Sequence, residues 1–473
     1  MKYSILVNKN NEIKDSYINK INLVETKNIK DEIIKIEEKT YEAYKELKKF
    51  LETKNIFIEL DSAYRSIEEQ QEIIDEFTEK YGTEYVNKFV APIRTSEHHT
   101  GLALDLALIV NNKSLIENED LFANEDIFLE IHKHLHKFGF ILRYPKDKKN
   151  ITGYDYEPWH IRYIGKIPAK IIYDNSLTLE EYLNNFSCVL YINKPKDITS
   201  FDVVNKISKL FGIKRVGHTG TLDPLATGVM LITIGKATKI VELLTAKDKE
   251  YIASFELGYK TDTYDNTGNI LDKKEIPENI NMIDTLNSFK KTYLQEVPIY
   301  SAIKVNGKKL YEYARENKDV ELPKKEVTIK EIELLETKNN TYTIKTLVSK
   351  GTYIRSLIND IGLSLNTYAT MTSLERVKQG LISIDDTNTL EDIENNNFTI
   401  HKIEDVLDYP IIEVDSLLEK NISNGMKIND NWNINDKVIF KNKENKLLGI
   451  YEKYDEILRV WKNFIWQNSK NLI

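Results

Sequence analysis

The nine residues from Leu102 to Val110 are apolar at every position but one, and the exception, Asp105, is a carboxylate. A run of that kind reads as a buried strand. A charge on it is costly unless it is paired or holds a metal. Just upstream, Ser96-Glu97-His98-His99-Thr100-Gly101 places an imidazole in a loop, and further along Tyr156-Glu157-Pro158-Trp159-His160 offers a second imidazole beside a second carboxylate. Two histidines and an aspartate leave the fourth position of a tetrahedral zinc open for water. Glu157 then suits a general base that takes a proton from water attacking a peptide carbonyl. Arg65, in Ser62-Ala63-Tyr64-Arg65-Ser66, is placed to grip a substrate carboxylate through two hydrogen bonds. On spacing alone, a satisfied histidine pair in an ordinary core stays open. His132, His134 and His136 fall on an expected helix, where a solvated face is the expectation.

At 473 residues the chain is long enough for two or three domains. Its charge is unevenly spread: residues 1–186 hold 26 Lys and Arg against 33 Asp and Glu, and residues 187–473 hold 40 against 41. A formal net charge of −8 argues against a polybasic protein that binds nucleic acid or membrane by bulk charge. The single cysteine, Cys188, excludes an internal disulfide framework and a cysteine-based zinc finger. The opening MKYSILVNKNNEIKDS shows no secretion signal and no stretch is apolar enough to span a membrane, so a soluble cytoplasmic protein is expected.

Periodicity predicts a helix over 29–51, a second from Ile67 to Lys80 stopped at Gly82, a short one over 178–183, and a strand starting at Cys188. Phe201 to Phe211 reads as a helix and Val229 to Ile234 as a strand. From about Ile411, short runs such as Lys437–Phe440 and Leu447–Tyr451 predict a small β-rich module. No Gly/Ser- or Pro-rich linker separates Leu183 from Cys188, which predicts a short, restricted joint.

The first set of motifs resembles the VanY-type family of D-alanyl-D-alanine and L,D-carboxypeptidases. Ser96, His98, Gly101, Ala103 and Asp105 match its S-x-H-x-x-G-x-A-x-D motif, and Glu157, Trp159 and His160 match E-x-W-H. Leu142 to Pro145, Ile151 to Tyr154, and Tyr64-Arg65-Ser66 with Gln70 extend the likeness over nearly all of residues 1–184. The resemblance implies zinc held by His98, Asp105 and His160, catalysis by Glu157, Arg65 and Ser96 near the substrate, and peptidoglycan-derived peptides as partners.

A second chemical segment is the glycine-rich loop Gly217-His218-Thr219-Gly220-Thr221-Leu222-Asp223-Pro224. Proline stiffens both itself and the residue before it, so Asp223 is presented on a restrained backbone. A nucleophile or local anchor fits, and so does a plain Asp-Pro turn. The surroundings resemble the TruB-type tRNA pseudouridine synthases over about 188–470. The matching runs are Asn193-Lys194-Pro195, Gly217 to Gly228, Lys249-Glu250-Tyr251, Ser301 to Lys304, Leu310 to Arg315, and Gly351 to Leu357.

That resemblance implies a cofactor-free isomerisation of uridine in the TΨC arm of tRNA, at position 55 in tRNA numbering. Asp223 is implied as nucleophile, Arg355 as the partner that keeps it ionised, and Tyr251 as the ring that packs on uracil and assists loss of a proton. Tyr353 and Leu374 would line the pocket, and His218 would take part in extruding the base. Lys194, Lys214, Arg215, Lys236 and Lys239 lie near the loop and could meet phosphates, with plain surface solvation standing equally open. Residues 298–325, turning at Asn306-Gly307, resemble the family's RNA-clamping insertion, and the β-rich end resembles a PUA-like RNA-binding domain.

A phosphate-loop reading fails, because six residues separate Gly228 from Gly235 and Ala237 stands where Ser or Thr is required. The expected architecture is α+β multidomain: a zinc D,D-peptidase-like domain (1–186), a mixed α/β pseudouridine synthase domain (187–408) and a PUA-like module (409–473). Two other readings stand beside a bifunctional enzyme. The first domain could be a non-catalytic peptide- or RNA-binding module, or the chain could join two neighbouring reading frames.

Overall fold

The computed structural model describes residues 2–84, 86, 90–316 and 318–465. The chain divides into two units, Met1–Phe186 with Lys206–Lys214, and Ser187–Asn205 with Arg215–Ile473.

The first unit is built on a five-stranded antiparallel sheet. Its strands run in the order Ile58–Ser62, Ala103–Val110, His160–Tyr163 and Phe140–Leu142, with Lys113–Leu115 paired onto the second. The expected apolar strand is the central one. Leu104, Leu106 and Leu108 pack with Leu47 and Leu51 of the helix Glu38–Glu52 and with Phe128, Ile131 and Leu135 of the helix Glu125–Leu135. The helix Ile67–Tyr81 starts at a capping box, in which Ser66 Oγ accepts from the Glu69 N–H and Glu69 accepts from the Ser66 N–H. It ends at Gly82.

One sequence expectation is corrected here. Residues 29–51 are not one helix: Ile33–Glu37 is a strand paired with Leu23–Lys27, and the helix begins only at Glu38. The Glu37 carboxylate accepts from the Thr40 N–H and so caps that helix. Ile33, Ile34 and Ile36 satisfy both a helical and a strand-like pattern, and β-branching with a partner strand decides for the latter.

The second unit contains a nine-stranded sheet. Its main path is Thr292–Glu296, Lys324–Lys338, Thr341–Val348, Lys249–Leu257, Ala369–Gln379, Thr227–Ile234 and Cys188–Lys194. Neighbours are antiparallel except at one seam, where Thr227 and Gly228 run parallel to Glu375 and Arg376. The helix Ile354–Ser364 covers one face and buries Leu357, Ile358 and Ile361 against Phe255, Ile344 and Met371. The β-rich end forms a five-stranded sheet whose Ile439 and Ile450 share a core with Val189, Tyr191 and Val229. Asn306 and Gly307 turn the short hairpin Lys304–Val305/Lys308–Lys309, both with positive φ. No helix among the described residues is long and apolar enough to cross a membrane.

The seam between Gly228 and Arg376 is close enough to make a prediction. Gly228 has φ +105°, and a Cβ there would lie 2.2 Å from the carbonyl oxygen of Arg376. Gly228→Ala is therefore expected to destabilise this unit by on the order of 3 kcal/mol. Thermal unfolding of the full chain, followed by calorimetry, measures it: the transition of this unit falls in temperature while the other unit's stays in place.

Candidate active sites

In the first unit, sheet register assembles the expected cluster. Asp105 pairs directly with His160 across the strands Ala103–Val110 and His160–Tyr163. His98 sits in the 3₁₀ turn Glu97–Thr100, which closes at Gly101 in the left-handed region, φ +68°. His98 Nε2 lies 3.1 Å from Asp105 Oδ2, and His160 Nδ1 lies 3.1 Å from Asp105 Oδ1. One donor atom from each of the three residues falls within 4.8 Å of the others. Ligands about 2.0–2.1 Å from one tetrahedral ion are about 3.3 Å apart, so the spacing fits zinc.

The chemistry of the donors fits as well. His98 Nδ1 is 2.6 Å from the Ala63 carbonyl oxygen, which fixes a proton on that nitrogen and leaves Nε2 bare toward the cluster. Asp105 is held well below the usual carboxylate range: burial opposes its charge, but His98 and His160 outweigh it. His160 turns Nδ1 to the cluster and Nε2 to Glu97, whose Oε2 lies 3.9 Å away. Both Nε2 and that oxygen are buried, and among the described residues neither has a hydrogen-bond partner.

Glu97 is the residue whose role the sequence did not disclose. It is buried, yet Arg143 Nε at 2.8 Å and Arg162 Nη1 at 2.6 Å hold its other oxygen. Burial opposes its charge, and the two guanidinium groups override it and lower its pKa. Arg143 is shared with Glu180 through two bonds of 3.0 and 2.7 Å. The only sequence signal was adjacency to His98, because the arginines come from distant parts of the chain.

Glu157 Oε2 stands 3.5 Å from His160 Nδ1. Burial pushes its carboxyl up to about 7, with His160 pulling the other way, which suits a group that must take and return a proton near neutrality. Arg65 is half-buried, and its Nη1 donates to Gln70 Oε1 at 2.9 Å. Ser96 is buried at the entry to the His98 turn. The three helix histidines stay out of the cluster, and none is simply solvated. His132 Nε2 pairs with the Pro158 carbonyl at 2.8 Å, His134 with Glu130 at 3.2 Å, and His136 stacks on Tyr173.

In the second unit, a cavity of about 270 Å³ opens at the glycine-rich loop. Asp223, Tyr251, Tyr353, Arg355 and Leu374 all line it. Arg355 Nε meets Asp223 Oδ2 at 3.0 Å, while its Nη1 and Nη2 donate to the carbonyls of Thr263 (2.9 Å) and Tyr300 (3.1 Å). The arginine is thus locked before it touches the aspartate. Burial raises the Asp223 carboxyl, Arg355 draws it back, and Asp265 pushes it up again.

Asp265 is a second residue missed in the sequence. It is buried, lies 3.8 Å from Arg355 Nη1, and accepts from the Thr267 N–H at 3.0 Å and its hydroxyl at 2.5 Å. The threonines around it were the available sign, since such residues satisfy an aspartate in a turn. The Tyr353 N–H donates to Gln295 Oε1 at 2.8 Å, which fixes the wall beside Arg355.

Two expected contacts change. Lys194 does not face a phosphate: it is fully buried, and its Nζ donates to the carbonyls of Pro195 (2.8 Å), Ile198 (2.7 Å) and Pro224 (3.3 Å). It braces the turn that presents Asp223, and burial lowers its pKa to about 8. His218, on the strand Val216–His218, is half-buried and is not among the residues lining the cavity. Of the other basic residues, Arg215 Nε is engaged by Thr238 Oγ1 at 2.6 Å, and Lys239 donates to the Asn463 carbonyl.

Comparison with known proteins matches the segments that carry these two sites to two families. Residues 208–354 match the TruB family pseudouridylate synthase N-terminal domain, and 355–419 match the tRNA pseudouridylate synthase B C-terminal domain. Residues 33–166 match the D-alanyl-D-alanine carboxypeptidase family, VanY. A tRNA pseudouridine synthase B of Fusobacterium nucleatum is 53% identical over 203 residues, 42% of this chain and 69% of its own. One of Clostridium tetani is 42% identical over 270 residues, 56% of this chain and 92% of its own. A solved LdcB LD-carboxypeptidase is 35% identical, covering 37% of this chain and 83% of its own, with a TM-score of 0.32. The chain belongs to the tRNA pseudouridine synthase B family and carries, ahead of that part, a domain that matches the VanY carboxypeptidases.

Proposed function

We propose that the synthase part, residues 187–408 with the RNA-binding module 409–473, converts uridine-55 in the TΨC arm of tRNA to pseudouridine. We propose further that residues 1–186 are a zinc D,D- or L,D-carboxypeptidase acting on peptidoglycan-derived peptides, both activities residing in the cytoplasm. The observation that carries the first reading is the Asp223–Arg355 pair at the cavity, with Arg355 anchored on backbone carbonyls. Asp223 attacks C1′ of the nucleotide as the bond from C1′ to N1 breaks. The uracil turns in place, C5 bonds to C1′ as the bond between Asp223 and C1′ breaks, the C5 proton leaves, and N1 gains one. Tyr251, buried on its strand, packs on the ring during the turn and assists proton removal from C5. Extrusion of the base from its stack costs a few kcal/mol, roughly, and the aromatic wall offsets part of it.

In the peptidase part, His98, Asp105 and His160 would hold the zinc, with the far nitrogen of His160 directed toward the Glu97 carboxylate. Bound there, zinc would supply Lewis acidity toward water and the scissile carbonyl. Glu157 takes the proton of the attacking water and passes it to the leaving amine. Arg65 binds the terminal carboxylate of the peptide, and Ser96 lies beside it.

The test is incubation of the purified full chain with a tRNA transcript and, separately, with a muropeptide. Nucleoside digestion and chromatography separate pseudouridine from uridine, and mass analysis reads loss of a terminal residue from the peptide. Chelation should abolish the second activity and spare the first. Isomerase activity that needs metal, or peptide cleavage that does not, contradicts the assignment.

The raised pKa of Asp223 also fixes the sign of a pH effect. A nucleophilic carboxylate must be ionised, so turnover falls as pH drops through its folded-state pKa, at a higher pH than for an ordinary aspartate. Arg355 is the group that draws that pKa down, so Arg355→Met is expected to move the acid limb of kcat further up. Single-turnover rates across pH check it.

A further inference from the structure

Two cations at the synthase cavity stand outside any ion pair among the described residues. Lys249 and Arg376 both line it, at 7% and 1% exposure, and among the described residues neither forms an ion pair. Arg355, by contrast, is committed to Asp223. Arg376 donates through Nε to the Val229 carbonyl at 2.6 Å and through Nη2 to the Gly220 carbonyl at 3.2 Å, and no described residue accepts from Nη1. Lys249 Nζ donates to the carbonyls of Thr245 (2.8 Å) and Lys247 (2.7 Å), which leaves one N–H uncommitted. Burial lowers the Lys249 pKa to about 8, with Arg376 adding to the effect and Asp248 opposing it, so the two charges feel each other. Buried charges left without partners are costly, and a pair of like sign is costlier still.

Gly220 keeps the space between them open. A Cβ at that position, where φ is +128°, would lie 3.4 Å from Arg376 Nη1 and 3.6 Å from Lys249 Cε. A planar fork and a point charge converging on one gap are the donors that recognise a phosphate. Uracil and ribose carry no charge, so the anion that reaches this wall with the reacting nucleotide is its phosphodiester.

We propose that Lys249 and Arg376, with Gly220 between them, form a subsite for one backbone phosphate flanking the uridine that reacts at Asp223. The proposal rests on the isomerase reading above. Its role is to register the extruded nucleotide: the phosphate is gripped at Gly220, three residues before the nucleophile on the same loop.

The test uses the full-length protein and ligated tRNA transcripts carrying a single methylphosphonate 5′ or 3′ of the target uridine. The sugar preceding the linkage is 2′-deoxy, and a deoxy phosphodiester at the same place is the control. For the wild type, one of the two neutral linkages should lower kcat/KM about 10–100-fold, the worth of a charge-assisted hydrogen bond. Lys249→Met should lose a similar factor on the phosphodiester and nothing further on that methylphosphonate, as groups acting on one contact do not add.

Two results overturn the subsite: no loss at either linkage, or losses from Lys249→Met and the methylphosphonate that multiply. The wild-type arms alone decide the matter if the variant does not fold. Turnover of the unmodified transcript is read in the same experiment, so failure of the isomerase reading shows there and failure of the subsite only in the modified arms.

Discussion

Asp223→Asn is expected to leave a folded protein that still binds tRNA but no longer makes pseudouridine, with turnover reduced by at least about 10⁴-fold. The change removes the nucleophilic charge and keeps the shape. The amide side chain would still fit between Leu222 and Pro224, and Lys194 would still brace the turn through the Pro224 carbonyl. Arg355 would keep its two carbonyl partners, so the cavity wall should not collapse. Single-turnover formation of pseudouridine and a filter-binding measurement on the same tRNA separate the two effects. Turnover within about 10-fold of wild type would remove Asp223 from the chemistry, because loss of a nucleophile is not tolerated at that level.

The second large effect is in the other unit. Glu157→Ala should cost about 10²–10⁴-fold in peptide cleavage, the usual worth of a general base, with zinc content unchanged. Glu157 lies 3.5 Å from His160 but is outside the group of His98, Asp105 and His160 that places its donor atoms together. Zinc per chain by mass spectrometry, measured beside hydrolysis of a D-alanyl-D-alanine-ended peptide, is the check. Loss of cleavage with metal retained supports catalysis by Glu157. A wild-type chain that takes up no zinc from buffer would leave the domain as a binding module.

What could be read in the sequence follows from how local each requirement is. Ser96 to Asp105 and Gly217 to Pro224 carry their chemistry at fixed spacing, and a strand or a proline-stiffened turn translates spacing directly into geometry. The paired register of Asp105 and His160 then needed only the two strands to meet. Glu97 was opaque because its meaning lies in Arg143 and Arg162, which arrive from elsewhere in the chain. Lys194 misled for a different reason: lysines are rarely buried, so a charge beside a loop is read as a surface group. The carbonyl cage that makes burial tolerable has no sequence signature. Ile33 to Glu37 reads as helix in the sequence because an apolar spacing of three fits a helix whenever the partner strand is unknown.

The pairing of Asp105 with His160 has a consequence for how the first unit folds. Side chains on a strand alternate between faces, so a slip of one residue between Ala103–Val110 and His160–Tyr163 would turn Asp105 away from His160. Only one alignment of the two strands produces the cluster, and that same alignment buries Leu104 and Ile161 in the core. Misaligned chains therefore lack any place for a cation. Under the zinc assignment proposed above, metal supplied during refolding would select for correctly paired chains, and the site would proofread the sheet that contains it.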